Sequence, residues 1–345
     1  MSWLTQTELF GFTLANWLYF VVLCLGFVAV LLGGVAYTTL FERRVISLMQ
    51  VRRGPNRAGP LGVFQPIADG VKLFFKEDTV PDTADKVLHR LAPAISLFAA
   101  LAAFAVVPVG DAYAIPGFGT VQLWIADLNV GVLYLLGIAS IGVYGIVLGG
   151  WSSGNKYSLL GALRGAAQLI SYEIVLGMSL VGVVMITGEM SLRGIVQWQA
   201  EHHVPLVLLQ PVGFMLFVTG MFAETNRAPF DLVEADTELV AGFHTEYSGF
   251  RFGMFMMSEY MAMITVSAVA TSLFLGGWGG PFGFLPGPWW VVIGIVCFLF
   301  LFVWVRATIP RLRYDQLMRF SWSWLIPIGL LNLAVTAVLV VLLDS

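Results

Sequence analysis

The sequence predicts an all-α integral membrane protein with eight spanning helices and an amphipathic surface helix, both termini periplasmic. Three observations predict this class. Of 345 residues, 58% are hydrophobic and only 11% are charged, whereas a soluble domain carries about 25% charged residues. The apolar residues gather in runs of about 20, the length a helix rising about 1.5 Å per residue needs to cross a bilayer. The runs are continuous rather than alternating, which excludes a membrane β-barrel.

The predicted spans are 14–40, 91–109, 128–150, 165–187, 204–223, 252–275, 289–305 and 320–343. An even count places both termini on one side. Every Lys and Arg except Arg193 falls in the first, third, fifth and seventh loops or at their helix ends. Positive charge marks the cytoplasmic face, so these loops are cytoplasmic and the termini periplasmic. The chain reads as one membrane domain, 1–345, with two long charged cytoplasmic loops at 41–90 and 224–251. The first run lacks a small-residue cleavage site, so it reads as a span rather than a leader.

Composition excludes several functions. A net charge of −3 offers no basic footprint for nucleic acid. Two cysteines, Cys24 and Cys297, cannot supply a four-thiolate cluster, and in apolar runs they read as small buried hydrophobes. The glycines of 276–288 lack the strand and helix context of a dinucleotide site.

In the first loop Val63, Phe64, Ile67, Val71, Phe74 and Phe75 recur at helical spacing, with Gln65, Asp69, Lys72 and Lys76 opposite. This predicts an amphipathic helix over about 61–76, lying in the headgroup plane. It reads either as a surface strut or as a lateral gate that admits a lipophilic molecule from the bilayer. The turn Arg52-Arg53-Gly54-Pro55-Asn56-Arg57 precedes it.

Carboxylates inside spans are the second signal. Glu173 and Glu259 fall within apolar runs, where a charge costs roughly 2.5–3.5 kcal/mol on insertion scales. They read as a proton route along an internal cavity or as structural ion pairs. Glu224 closes the fifth span, and Glu234, Asp236, Glu238 and Glu246 follow it. Phe230, Leu232, Val233, Leu239, Val240 and Phe243 are interleaved, which is too apolar for a solvated acidic tail. Partly desolvated, clustered carboxylates are suited to a proton relay. The last loop gathers Arg306, Arg311, Arg313 and Arg319, either as snorkelling anchors or as counterbalance to the acidic loop and a docked partner.

Five separated motifs then make a resemblance specific. They are Glu42-Arg43-Arg44, the run from Arg53 to Pro60, Gln65-Pro66-Ile67-Ala68-Asp69, the segment 224–247, and the run from Arg306 to Met318. Together they resemble the quinone-site membrane subunit of respiratory complex I, the proton-pumping NADH:quinone oxidoreductase, over essentially the whole chain. The resemblance implies a quinone chamber and entrance at Glu42, Arg43, Arg53, Phe64, Ile67, Lys72, Phe230 and Asp231. It also implies a proton path through Glu224, Glu234, Asp236, Glu238, Glu246, Glu173 and Glu259. Arg43, Arg53 and the last-loop arginines would set the local potential.

The implied substrate is a quinone, of ubiquinone type, with no flavin, nicotinamide or iron–sulfur cluster on this chain. The implied partners are the other membrane-arm subunits, the hydrophilic electron-transfer arm and lipids, in a bacterial inner membrane. Two departures stand out. Asp236 replaces the usual glutamate and reaches one methylene less far, and His244 stands where asparagine is frequent. The equivalent anchor of a membrane-bound hydrogenase shares the pattern. A free-standing transporter lacks support, because no internal repeat is visible.

Overall fold

The computed structural model describes the chain except residues 1–7, 10–11, 116–118, 235, 284 and 345. In chain order its helices are α1 (Leu14–Met49), α2 (Gln65–Phe75), α3 (Lys86–Phe104), α4 (Gly131–Ser152), α5 (Lys156–Thr187), α6 (Leu192–His202), α7 (Leu206–Leu209), α8 (Pro211–Glu224), α9 (Asp236–Leu239), α10 (Gly249–Phe274), α11 (Trp289–Thr308), α12 (Tyr314–Phe320) and α13 (Ile326–Asp344). Two short antiparallel ladders join β1 (Glu8–Leu9) to β2 (Phe12–Thr13) and β3 (Tyr113–Ile115) to β4 (Gly119–Val121). Among the described residues seven helices are long and apolar enough to cross a membrane. They are the bulk of α1, then α3, α4, α5, α10, α11, and the run Tyr314–Leu342. A π-helical turn, Ser321–Leu325, joins α12 to α13 within that last run.

The segment predicted as the span 204–223 is divided. Gln210 leaves helical geometry at φ −129°, ψ 57°, between α7 and the 14-residue α8. Pro211 explains the break, since proline lacks an N–H and pushes the residue before it away from the α region. The Gln210 side chain donates to Thr336 Oγ1 at 2.5 Å and accepts from Asn332 Nδ2 at 2.9 Å. The break is thereby tied to α13, as apolar surroundings require of polar groups.

Helix ends follow local chemistry. Asp85 caps α3 by accepting from the backbone N–H of Val87 and Leu88, and Asn155 caps α5 through Tyr157. Gly188, at φ 70°, closes α5 in the left-handed conformation that lacks a Cβ penalty for glycine alone. Helix α1 continues past Leu40 to Met49, so Glu42, Arg43 and Arg44 ride on its last turns.

The helices pack as a bundle in which α4 lies between α3 and α5, and α10 packs on α3. On the other side α5 meets α8 and α13, while α1 leans on α10 and α11 at the periphery. Glycines set the α3–α4 spacing. A Cβ on Gly145 would sit 2.0 Å from Ser96 Oγ and 3.0 Å from the Ala92 carbonyl oxygen. Small residues at such crossings let backbones approach closely. Cys297 is exposed on the outside of α11, which corrects the expectation that it is buried. An apolar thiol needs no protein cover where the surroundings are hydrocarbon.

Helix α2 turns Asp69 and Leu73 inward. Asp69 pairs with Arg43 at 2.7 Å, and Leu73 lies against Gly253 of α10. Ile67, Val71, Phe74 and Phe75 stay exposed, an apolar face that meets the bundle at Phe74, whose ring lies 5.1 Å from that of Phe250 at the start of α10.

Replacing Gly145 by valine is expected to force α3 and α4 apart at a cost of about 1–3 kcal/mol. Thermal stability of the purified assembly, set beside Gly137→Val at a glycine with open space before it, checks this. Only the Gly145 variant should lose stability.

Candidate functional site

The deepest polar feature is a charge cluster assembled from four segments. Glu42 of α1 is buried and accepts a hydrogen bond from the Tyr260 hydroxyl of α10 at 2.7 Å. Arg306, at the end of α11, donates to the other Glu42 oxygen. Arg227, from the loop after α8, lies 3.6 Å from Glu42 and 2.6 Å from Glu259 of α10. Its guanidinium also sits over the Tyr260 ring at 4.5 Å. Two carboxylates and two guanidinia balance, which is the condition for keeping such charges out of water. Burial works against the Arg227 charge, yet Glu259, Tyr260 and Glu42 outweigh it and hold the guanidinium pKa above its ordinary value.

Beside this cluster lies a cavity of about 130 Å³ between α3, α4 and α10, and Glu224, Glu234 and Glu259 all border it. Small or hydroxylic side chains, among them Ser96, Ala99, Gly142 and Ser258, form part of its wall. At roughly 30 Å³ per molecule it has room for about four waters. Glu173 stands within electrostatic reach of Glu224 and takes a hydrogen bond from Ser140. Glu234 lies 3.9 Å from the His244 ring. Gln168 of α5 holds the intervening turn, donating to the Ala223 and Phe230 carbonyl oxygens at 2.9 and 2.8 Å.

The remaining predicted carboxylates sit apart. Glu238 is exposed and paired with Arg164 at 2.6 Å. Glu246 accepts from Asn155 at 2.7 Å, near the start of α5. The side chain of Asp236 lies outside the described residues. Next to Glu246, burial pushes the Tyr247 phenol up to about 12, and its ring stacks on His89 at 4.0 Å. Phe230 is buried against Tyr172, and the Asp231 carbonyl oxygen accepts from Arg311 at 3.2 Å. Arg53, Phe64, Ile67 and Lys72 are exposed around α2, and Arg43 is tied to Asp69.

A second concavity, of about 670 Å³, is almost wholly apolar. It runs along α1 from Val22 to Phe41 and is walled by Ile264 of α10 and Val292, Ile295 and Leu299 of α11. It ends at Phe41, next to Glu42. Among the described residues no group of three His, Cys, Asp or Glu side chains is placed to hold a metal ion.

Tyr260, Gln168 and Ser140 are not among the site residues the sequence predicts; Arg227 reads only as a cytoplasmic-loop cation, and Arg306 as one of the last-loop arginines that set the local potential. A tyrosine or serine in an apolar run has no sequence signature that separates it from core. Arg227 had one, since it follows Glu224 by three residues at the mouth of a span.

Removing one member of a buried ion cluster strands its partners. Arg227→Met is therefore expected to cost about 3–5 kcal/mol. Thermal inactivation of the assembly checks this, with Arg164→Met, at an exposed pair, expected to cost no more than about 1 kcal/mol.

Residues 22–337 match the family model described as NADH dehydrogenase. The NADH-quinone oxidoreductase H subunit of Thermomicrobium roseum is 53% identical over 97% of this chain and 97% of its own length. Its counterpart in Protochlamydia amoebophila is 52% identical over 88% of this chain and 91% of its own. Another, from Geobacter metallireducens, is 49% identical over 96% of this chain and 99% of its own. The balanced cluster, the carboxylate-lined cavity and this likeness along nearly the full length agree, and the chain belongs to the NADH dehydrogenase family.

Proposed function

We propose that this chain is the membrane subunit that forms the quinone entrance and chamber of a proton-translocating NADH:quinone oxidoreductase, and that it couples quinone reduction to proton movement. The observation that carries the reading is the convergence of an apolar groove and a carboxylate-lined cavity on one charge cluster. The groove along α1 is large enough for an isoprenoid chain, and its lining reaches Phe41, the residue that precedes Glu42 in the helix. The cavity is too small for that and suits water. One ligand that is greasy at one end and proton-consuming at the other fits both. The exposed apolar face of α2 and Phe64 would flank the entrance from the bilayer, with Arg43, Arg53 and Lys72 at the headgroups.

The topology that goes with this reading has eight crossings, the fifth made by α7 and α8 across the break at Gln210. Both termini are periplasmic, and the loops that carry the cluster face the cytoplasm of a bacterial inner membrane. Electrons come from a docked hydrophilic arm. Other membrane-arm subunits continue the proton path, and lipids cover the remaining face. The substrate is a quinone of ubiquinone type.

Reduction of a quinone takes up two electrons and two protons, and electrons that arrive ahead of their protons leave a transient negative charge near Glu42, Phe230 and Asp231. The Arg227 cluster holds the head region in fixed geometry. Glu259, shared by cluster and cavity, passes the change to Glu234 and Glu224, and Glu224 acts on Glu173. Glu246, Asp236 and the Arg164–Glu238 pair shape the loop from its cytoplasmic side.

Glu224→Gln is expected to lower proton pumping per NADH oxidised by at least about tenfold, below the roughly hundredfold or more that a positioned proton-transfer group supplies. Glu238→Gln, which loses an exposed pair, is expected to lower it less. Dye-quenching in sealed vesicles alongside NADH:quinone reductase rates reads both. Wild-type coupling in both variants would overturn the reading.

A further inference from the structure

Hydroxyls in the spans of this chain have a default partner. Thr38, Thr265, Ser267 and Thr271 each donate to the carbonyl oxygen one turn back on their own helix, which silences the hydroxyl within an apolar surrounding. Ser140 does this too, with Oγ 3.0 Å from the Leu136 carbonyl oxygen. It differs in also contacting the Glu173 carboxylate of α5.

A serine hydroxyl carries one proton, so the two contacts are alternatives. When Glu173 is ionised, the hydroxyl donates to it and leaves Leu136. When Glu173 is protonated, the acid donates to Oγ and the hydroxyl turns to Leu136. Both states are fully hydrogen-bonded with the same heavy-atom positions, and no helix has to move between them.

The setting makes this contact decisive for Glu173. Among the described residues no cation pairs with Glu173 or with Glu224, the carboxylate that acts on it. Arg164, further toward the start of α5, is engaged with Glu238. Helix α13, which packs along α5, carries no titratable side chain before Asp344; α4 carries Tyr134, whose hydroxyl donates to the Ala102 carbonyl oxygen, and the exposed Tyr144; and α12, which also meets α5, carries Tyr314 and the exposed Asp315 and Arg319. Cations stabilise the Glu42 and Glu259 charges, whereas the ionised form of Glu173 has one hydroxyl.

We propose that Ser140 is the positioning residue for Glu173 in the proton path, a two-way hydroxyl that accommodates both the charged and the neutral carboxyl. This rests on the reading of the carboxylates as a proton path. Hydrogen bonds to charged groups are stronger than those between neutral ones, and this one meets the ionised Glu173 as a donor. Its loss penalises the charged form, so the acid limb of the coupling profile moves to higher pH.

The test is proton pumping per NADH oxidised, measured across the neutral range with the assembled complex in sealed vesicles. Ser140→Ala is expected to shift the acid limb upward by about one pH unit or more, and Ser140→Thr, which keeps the hydroxyl, to overlay the wild type. An unshifted alanine profile, or a threonine profile displaced as far as alanine, overturns the proposal. If the alanine variant fails to assemble, Ser140→Cys supplies a weaker donor. Redox-difference infrared spectra should then show an enlarged band of protonated carboxyl, and an unchanged band overturns the proposal. Glu224→Gln in the same assay separates the two levels. Impaired coupling there with an unshifted Ser140→Ala removes only the role of Ser140, while wild-type coupling there removes the proton path itself.

Discussion

The Arg227 guanidinium, held between Glu42 and Glu259, is the interaction on which the rest of the site depends. It joins the end of α1, the loop after α8 and the middle of α10, segments distant in the chain. Without a cation at this depth, each carboxylate would face the cost of an unpaired charge in a low-dielectric surrounding, several kcal/mol at least. With it, and with Arg306 beside Glu42, the cluster is neutral and fixes these segments against one another. Glu259 then belongs to two structures at once, as ion-pair partner and as cavity wall.

This sharing divides the acidic residues into two kinds. Glu42, Glu238 and Asp69 have arginine partners within ion-pair distance and act as fixed charges. Glu224 and Glu173 lie within electrostatic reach of one another, with a hydroxyl on Glu173, the arrangement the proposed proton path would use. Close packing sustains the difference. Gly145 brings α3 and α4 together, and the small side chains bordering the cavity leave a water-sized space that larger residues would fill. The broken helix at Gln210 is handled in the opposite way, with its side-chain amide tied to α13 by direct hydrogen bonds.

Much of the fold was legible because a bilayer imposes simple arithmetic. Runs of about 20 apolar residues located seven long helices to within a few residues at most ends. The exception was the segment at 204–223, where the Gln-Pro step outweighed the apolar run. The site was legible in part. The in-span positions of Glu173 and Glu259 marked them as costly and therefore purposeful. Which carboxylates meet was not visible, since Glu234, Glu238 and Glu246 share one loop yet face a cavity, an arginine and an asparagine respectively. Tertiary placement, absent from any local pattern, decides that. The same limit hid Tyr260 and Ser140, whose residue types are ordinary in a helix and whose partners lie on other helices.

The two concavities differ in size and lining, and on the proposed reading they would meet two halves of one problem. A quinone would arrive through hydrocarbon and keep its chain there, which the groove along α1, apolar nearly throughout, suits. A head that gains charge as electrons arrive would need polar groups that do not reorganise, which the locked Glu42–Arg227–Glu259 cluster would supply. Transmission then needs no mechanical linkage. Two unit charges about 10 Å apart interact by roughly 1.7 kcal/mol at an effective dielectric of about 20, more than one pK unit. A charge appearing at the cluster is therefore felt by Glu224 at the cavity wall, while in open water the same separation would leave it nearly indifferent. Burial makes the carboxylates expensive to place, and the same burial lets them respond.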